Sequence, residues 1–269
     1  MTLEKHPANK DFIWSIPKGP YKYLKDHEVQ HFNEKGYLLV KDAFDSSLMD
    51  KITSIIDPFE LKVTDALTRL DGEKFFISRA KEITFSPHLV TVSEELKKFS
   101  RHNIFSSLCL DLIGNNVRLY WDQAVYKKPD TKDEFPWHQD NGYTYINPQA
   151  YLTCWVALTD TDESNGCPWV VPGMHTMGTL NHKVTDLGYE IPLDSSDAVP
   201  LELSSGSIAI FSSLTPHRTG PNVTDKVRKG YILQYAPDGA VRRISNSLYE
   251  KVNDENRQFF VVEKGKFIN

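Results

Sequence analysis

The chain has 269 residues, 40% of them hydrophobic and 25% charged, proportions that exclude disorder and fibrous repeats and allow one sizeable core. A formal net charge of -5 argues against a nucleic-acid partner, which calls for a basic excess or stripe; the basic stretch from Lys226 to Lys229 reads as solvated surface. No apolar run reaches the ~18 residues of a membrane span, and the opening MTLEKHPANK lacks a secretory core, so the expectation is a soluble, cytoplasmic protein with no membrane partner.

No repeat or linker divides the chain, and one domain over 1–269 is expected, with a helical part over about 1–115, a β core over about 116–240 and a C-terminal extension over 241–269. Asp26 to Glu34 reads as a helix ended by Gly36, followed by a strand over Tyr37 to Val40 and a second helix capped by Asp45 or Ser46. Helical spacing of apolar residues predicts a further helix from about Val90 to Ile113, closing at Gly114. From Val117 the texture turns to short β-branched and aromatic runs, predicting strands at Val117 to Tyr126, Thr153 to Leu158, Pro168 to Val171, Ser207 to Phe211 and Tyr231 to Ala236. Helices gathered before a run of strands imply a mainly β, α+β fold, a sandwich or barrel supported by helices on one side. Cys109, Cys154 and Cys167 are odd in number and lack metal-type spacing, which makes a disulfide framework improbable.

The segment Trp137-His138-Gln139-Asp140 sets a histidine and a carboxylate two residues apart, so on an extended strand both side chains leave one face. His217 follows the strand Ser207 to Phe211, a position that fits a third ligand brought in from the opposing sheet. Two imidazoles and one carboxylate are the donor set of non-haem Fe(II) sites with open positions, and they also bind zinc. Arg228 comes a hairpin later, where its donor fork suits bidentate recognition of a carboxylate beside the metal. His175 sits in a Pro-Gly setting that marks a tight turn rather than a ligand.

At these residues the chain resembles the phytanoyl-CoA dioxygenase family of Fe(II)/2-oxoglutarate oxygenases, with its His-x-Asp pair, distal histidine and following arginine. Gln123 to Pro129 (QAVYKKP), Trp155 to Leu158, Asn165-Gly166-Cys167, Pro172 to His175 and the opening Phe32 to Phe44 are similar to further family elements, in the family's order. Met174 departs from the usual Ser or Thr. The resemblance implies a double-stranded β-helix (jelly-roll, cupin-like) core, Fe(II) held by His138, Asp140 and His217, and 2-oxoglutarate held by Arg228, with Gln123, Gln139 and Trp155 lining the co-substrate. It implies oxidation, by default hydroxylation, of an unactivated C–H bond with O2 and release of succinate and CO2. The carboxylate at Asp140 disfavours a halogenase. Trp137, Tyr143 and Tyr145 are candidate substrate contacts, Trp121 precedes them, and the loop over 173–200, with His182, is the expected lid. The absence of a concentrated basic patch favours a small or specialised metabolite over a CoA thioester. Two other classes stand beside this reading: a non-catalytic cupin-like binder, and a zinc hydrolase, for which no HExxH-type helix is present.

Overall fold

The computed structural model describes residues 3–193 and 196–268. Helix α1 (Asp26–Lys35) buries Val29 and Phe32 and stops at Gly36, which takes the left-handed conformation with φ 80. Strand β1 (Tyr37–Val40) follows, then α2 (Ser46–Thr68), started by Asp45, whose side chain accepts a hydrogen bond from the Leu48 amide at 2.8 Å. The helix expected from about Val90 to Ile113 is instead a 3-10 turn followed by α3 (Glu94–Ser100) and α4 (Asn103–Leu112). Ser93 and His102 each accept a hydrogen bond from a following backbone N–H and start a new helix. The apolar spacing continues across the break, which is why periodicity alone hides it.

Between α2 and α3 lie a hairpin, β2 (Lys74–Phe75) and β3 (Ser78–Arg79), and the strand β4 (Ile83–Pro87). The β core then runs through β5 (Val117–Lys127), β6 (Phe135–His138), a short helix α5 (Asp140–Tyr143), β7 (Ile146–Asn147), β8 (Leu152–Ala157) and β9 (Pro168–Val170). A hairpin of β10 (Lys183–Thr185) and β11 (Gly188–Glu190) precedes β12 (Val199–Pro200), β13 (Ile208–Ser212), β14 (His217–Thr219) and β15 (Arg228–Pro237). Four short strands close the chain: β16 (Val241–Arg243), β17 (Tyr249–Lys251), β18 (Phe260–Glu263) and β19 (Lys266–Phe267).

The large sheet has the order β1-β13-β8-β15-β5-β4-β3-β2, with β18 added to β5, and the smaller one the order β12-β9-β14-β6. All pairings in both are antiparallel, and the two sheets form the jelly roll. Alternation along β5 sends Trp121, Gln123 and Val125 into the space between the sheets, and Ala124 and Tyr126 into the core beneath the helices. That core packs Phe105 and Leu108 of α4 against Tyr231, Leu233 and Tyr235 of β15. Helix α2 is tied down by Glu60, which accepts hydrogen bonds from Thr64, Thr84 and Lys128. Burial alone would raise this carboxyl, but those donors hold it below its ordinary value.

The stretch from Lys226 to Lys229 is only partly surface. Arg228 is 1% exposed, because the chain enters the sheet there, and Lys229 leans out to pair with Asp57 at 2.8 Å. Cys109, Cys154 and Cys167 are buried and unbridged. Among the described residues, no helix is long and apolar enough to cross a membrane.

Candidate metal centre and its cavity

His138 and His217 lie directly opposite each other on the neighbouring strands β6 and β14. The third ligand candidate thus comes from the same small sheet rather than the opposing one. Asp140 follows at the start of α5, and one donor atom from each of the three lies within 4.8 Å of the others. Both imidazoles are oriented alike: His138 Nδ1 donates to the Pro136 carbonyl at 2.8 Å and His217 Nδ1 to that of Thr215 at 3.0 Å. With Nδ1 protonated and held by a backbone carbonyl, each Nε2 is left as a lone-pair donor, the arrangement usual for metal-binding histidines. Asp140 Oδ2 accepts from the Thr153 hydroxyl at 2.5 Å, while Oδ1 stands 3.6 Å from His217 Nε2. Burial and the neighbouring His217 keep His138 well below the ordinary histidine value, so it is neutral and available as a ligand.

The three side chains open into a cavity of about 720 Å³ between the sheets. Arg228, buried and from the large sheet, also lines it, so the arginine and not the histidine crosses from the facing sheet. Among the described residues its Nε and Nη2 are buried without a hydrogen-bond partner, as is the hydroxyl of Thr219, a residue that lines the same cavity. Nη1 has only a long contact, 3.5 Å, to the Val125 carbonyl. The Trp155 ring, centred 5.3 Å away, covers the guanidinium. Gly230 permits this, since a Cβ there would stand 2.5 Å from the Trp155 ring. A buried guanidinium without a counter-charge is costly, and a carboxylate is the kind of group that would satisfy both the fork and Thr219. The donor set and this orphaned cation fit a metal ion and a dicarboxylate bound side by side.

Gln123, Trp155, Tyr143 and Trp121 line the cavity, and the Trp121 indole donates to Gln123 Oε1 at 3.1 Å. Gln139, Trp137 and Tyr145 do not. Gln139 alternates to the other face, where its amide donates to the carbonyls of Gly178 and Leu214 and accepts from the Leu180 amide. Trp137 alternates likewise and lies beneath the Arg218 guanidinium. Tyr145 turns toward the N-terminal segment, stacking on His6 and donating to the Ala8 carbonyl. His175 is far from the triad in its contacts: Nε2 faces the Asn33 carbonyl at 3.0 Å, under Trp14.

Of the loop over 173–200, residues 194 and 195 lie outside the described residues, and Tyr189 is the residue that lines the cavity among those described. His182 is a support: its Nε2 accepts from the Gln139 amide at 2.9 Å, and its ring stands 2.0 Å from where a Cβ on Gly142 would be. Thr153, Thr219 and Lys127 were not anticipated as site residues. Lys127 is buried beside Arg228, and burial, with that neighbour, pushes its ammonium down to about 7. It donates to the carbonyls of Thr219 and Gly220 and so fixes the turn after His217. The Lys-Lys-Pro run was the only trace of it in the sequence.

The family model described as Phytanoyl-CoA dioxygenase (PhyH) matches residues 32–230. The chain is 25% identical to Phytanoyl-CoA dioxygenase 1 of Oryza sativa subsp. japonica, over 76% of this chain and 86% of that one. It is 23% identical to a probable alpha-ketoglutarate-dependent hypophosphite dioxygenase of Stutzerimonas stutzeri, over 78% and 77%. In structure it is similar to the non-heme alpha ketoglutarate dependent carbocyclase SnoK from nogalamycin biosynthesis, with TM-score 0.69, 20% identity, and 85% and 91% of the two chains covered.

Proposed function

The chain belongs to the phytanoyl-CoA dioxygenase family and is a non-haem iron, 2-oxoglutarate-dependent oxygenase; we propose that it hydroxylates an unactivated C–H bond of a small or specialised metabolite. In this reading His138, Asp140 and His217 hold Fe(II), and Arg228 with Thr219 receives the far carboxylate of 2-oxoglutarate. The observation that carries it is the buried Arg228 fork, unpartnered at Nε and Nη2, in the cavity that also holds the triad. The chemistry the bound pair supplies is O2 activation, in which 2-oxoglutarate goes to succinate and CO2 and one oxygen atom is left for the substrate.

The residues of the chain prepare that chemistry. Thr153 holds one carboxylate oxygen of Asp140 and leaves the other toward the metal position. The carbonyls of Pro136 and Thr215 fix the tautomer of both histidines. Trp155 shields Arg228 from water, which strengthens its attraction for an anion. A zinc hydrolase leaves the orphaned fork without a task, and a passive binder, which could use it, is disfavoured by the family to which the chain belongs.

Supplied with Fe(II) under air, the protein should convert 2-oxoglutarate to succinate. Arg228→Lys replaces a planar fork by a point charge; losing one charged hydrogen bond costs about 1.5–3 kcal/mol, a rise in KM for 2-oxoglutarate of about ten- to a hundredfold. Unchanged KM in that variant would contradict the role given to Arg228.

A further inference from the structure

The cavity is larger than a dicarboxylate requires and falls within the range of pockets that enclose drug-sized ligands. Away from Arg228 it extends under the C-terminal turns of α2 and the β2–β3 hairpin, where Leu67, Leu70, Phe75, Phe76 and Ile77 line it. Of the α2 and hairpin residues of that arm, Ser78 has the one hydroxyl, and it accepts from the Phe85 amide at 3.3 Å. No charged side chain of the hairpin or of α2 lines it. A phosphate, carboxylate or ammonium group placed there would find no side-chain partner and would give up part of its hydration without return. Arg242, which also lines the cavity, is paired with Glu250.

The hairpin carries a second, independent signal. Phe76 stands at its tip with φ 51, a left-handed conformation that Gly or Asn adopts readily and that costs a bulky residue about 1–2 kcal/mol. Burial does not compensate: Phe76 is 59% exposed, Phe75 71% and Leu70 45%. Single exposed apolar side chains are ordinary, but three at one mouth, one of them strained, form a continuous apolar lip. Phe76 also presents its ring edge-on toward Tyr143 and Tyr189, with centroids 6.3 and 6.2 Å away, and Tyr143 in turn stands beside His138. The aromatic path therefore runs unbroken from solvent to the metal position.

We infer that the β2–β3 hairpin is the substrate-selecting element, and that the substrate is a neutral, largely hydrocarbon molecule whose apolar body lies between Phe75, Phe76 and the end of α2. This rests on reading the cavity as an oxygenase active site. A small oxyanion such as hypophosphite has no partner in this arm and is not the substrate class.

The test uses the whole chain loaded anaerobically with Fe(II) and 2-oxoglutarate, titrated with the neutral fluorophore N-phenylnaphthylamine. Wild type should bind it saturably. Phe76→Asn should weaken binding about tenfold, the loss of one buried aromatic contact, while leaving thermal stability equal or higher because Asn accepts the left-handed turn. Ala66→Arg, at an exposed helical position on the same wall, should weaken it at least as much. Equal binding in all three proteins, or destabilisation by Phe76→Asn, would overturn the inference. The absorption band of the iron–2-oxoglutarate complex, followed in the same samples, separates the two claims: a band without fluorophore binding sinks this inference alone, and fluorophore binding without a band sinks the oxygenase reading.

Discussion

Taking water from a guanidinium is expensive, and at Arg228 the chain does so without supplying a partner for Nε or Nη2. Thr153 is the complementary case, a neutral residue whose single hydroxyl decides which oxygen of Asp140 is free. Thr153→Val keeps the shape and removes that hydrogen bond. Loss of such an outer-shell partner lowers metal affinity about ten- to a hundredfold, so Fe(II) titration should show a weaker site in a variant of unchanged fold; equal affinity would remove Thr153 from the site. That His138, Asp140, His217 and Arg228 would meet at one cavity was legible from the way the distal histidine and the following arginine accompany the His-x-Asp pair and from the likeness of that order to the family pattern, not from the pair alone. Thr153 and Thr219 were not, since a threonine in a strand is explained by β propensity alone. Trp137 and Gln139 flank His138 in sequence but alternate to the other face of its strand, and the turn of α5 carries Tyr145 away toward the N-terminal segment.

The strands of the core were legible to within a few residues, from Val117–Lys127 to Arg228–Pro237, because fully buried strands are dense in β-branched and aromatic residues. Short strands such as Lys74–Phe75 and His217–Thr219 are too brief to show a period. Which sheet each strand joins was not legible either, and it decides that His138 and His217 are neighbours in register while Arg228 faces them. The segment between His138 and Asp140 depends on His182, which takes the Gln139 amide hydrogen bond. Leaving that buried N–H unpaired costs about 1–3 kcal/mol. His182→Ala should therefore lower unfolding stability by that order in denaturant melts and weaken Fe(II) binding as well; a loss of stability with metal affinity unchanged would mean that His182 supports the fold and not the ligand spacing.

Across the whole molecule the two faces of the large sheet serve different ends: one packs against the helices, the other lines the cavity. Asp122 lies on the packed side, accepting from the Tyr231 hydroxyl at 3.0 Å and the Val90 amide at 3.1 Å, and burial pushes its carboxyl up to about 6. The folded state thus holds this proton more tightly than the unfolded chain does. Its contribution is complete below about pH 4 and is lost as pH rises through 6, amounting to at most about 3 kcal/mol. Asp122→Asn, which keeps the acceptor, should remove that part of the decline and match or exceed wild type at pH 7 in thermal melts; an unaltered pH profile would show that Asp122 is not its source. The central claim, that this fold brings a metal triad and an anion-binding arginine to one cavity, is tested most directly by visible absorption. Metal-free protein is titrated anaerobically with Fe(II) and 2-oxoglutarate, in wild type, His217→Ala and Arg228→Ala. A weak charge-transfer band should appear in wild type, vanish without His217, and need more 2-oxoglutarate without Arg228. No band in folded, iron-loaded wild type would contradict the account.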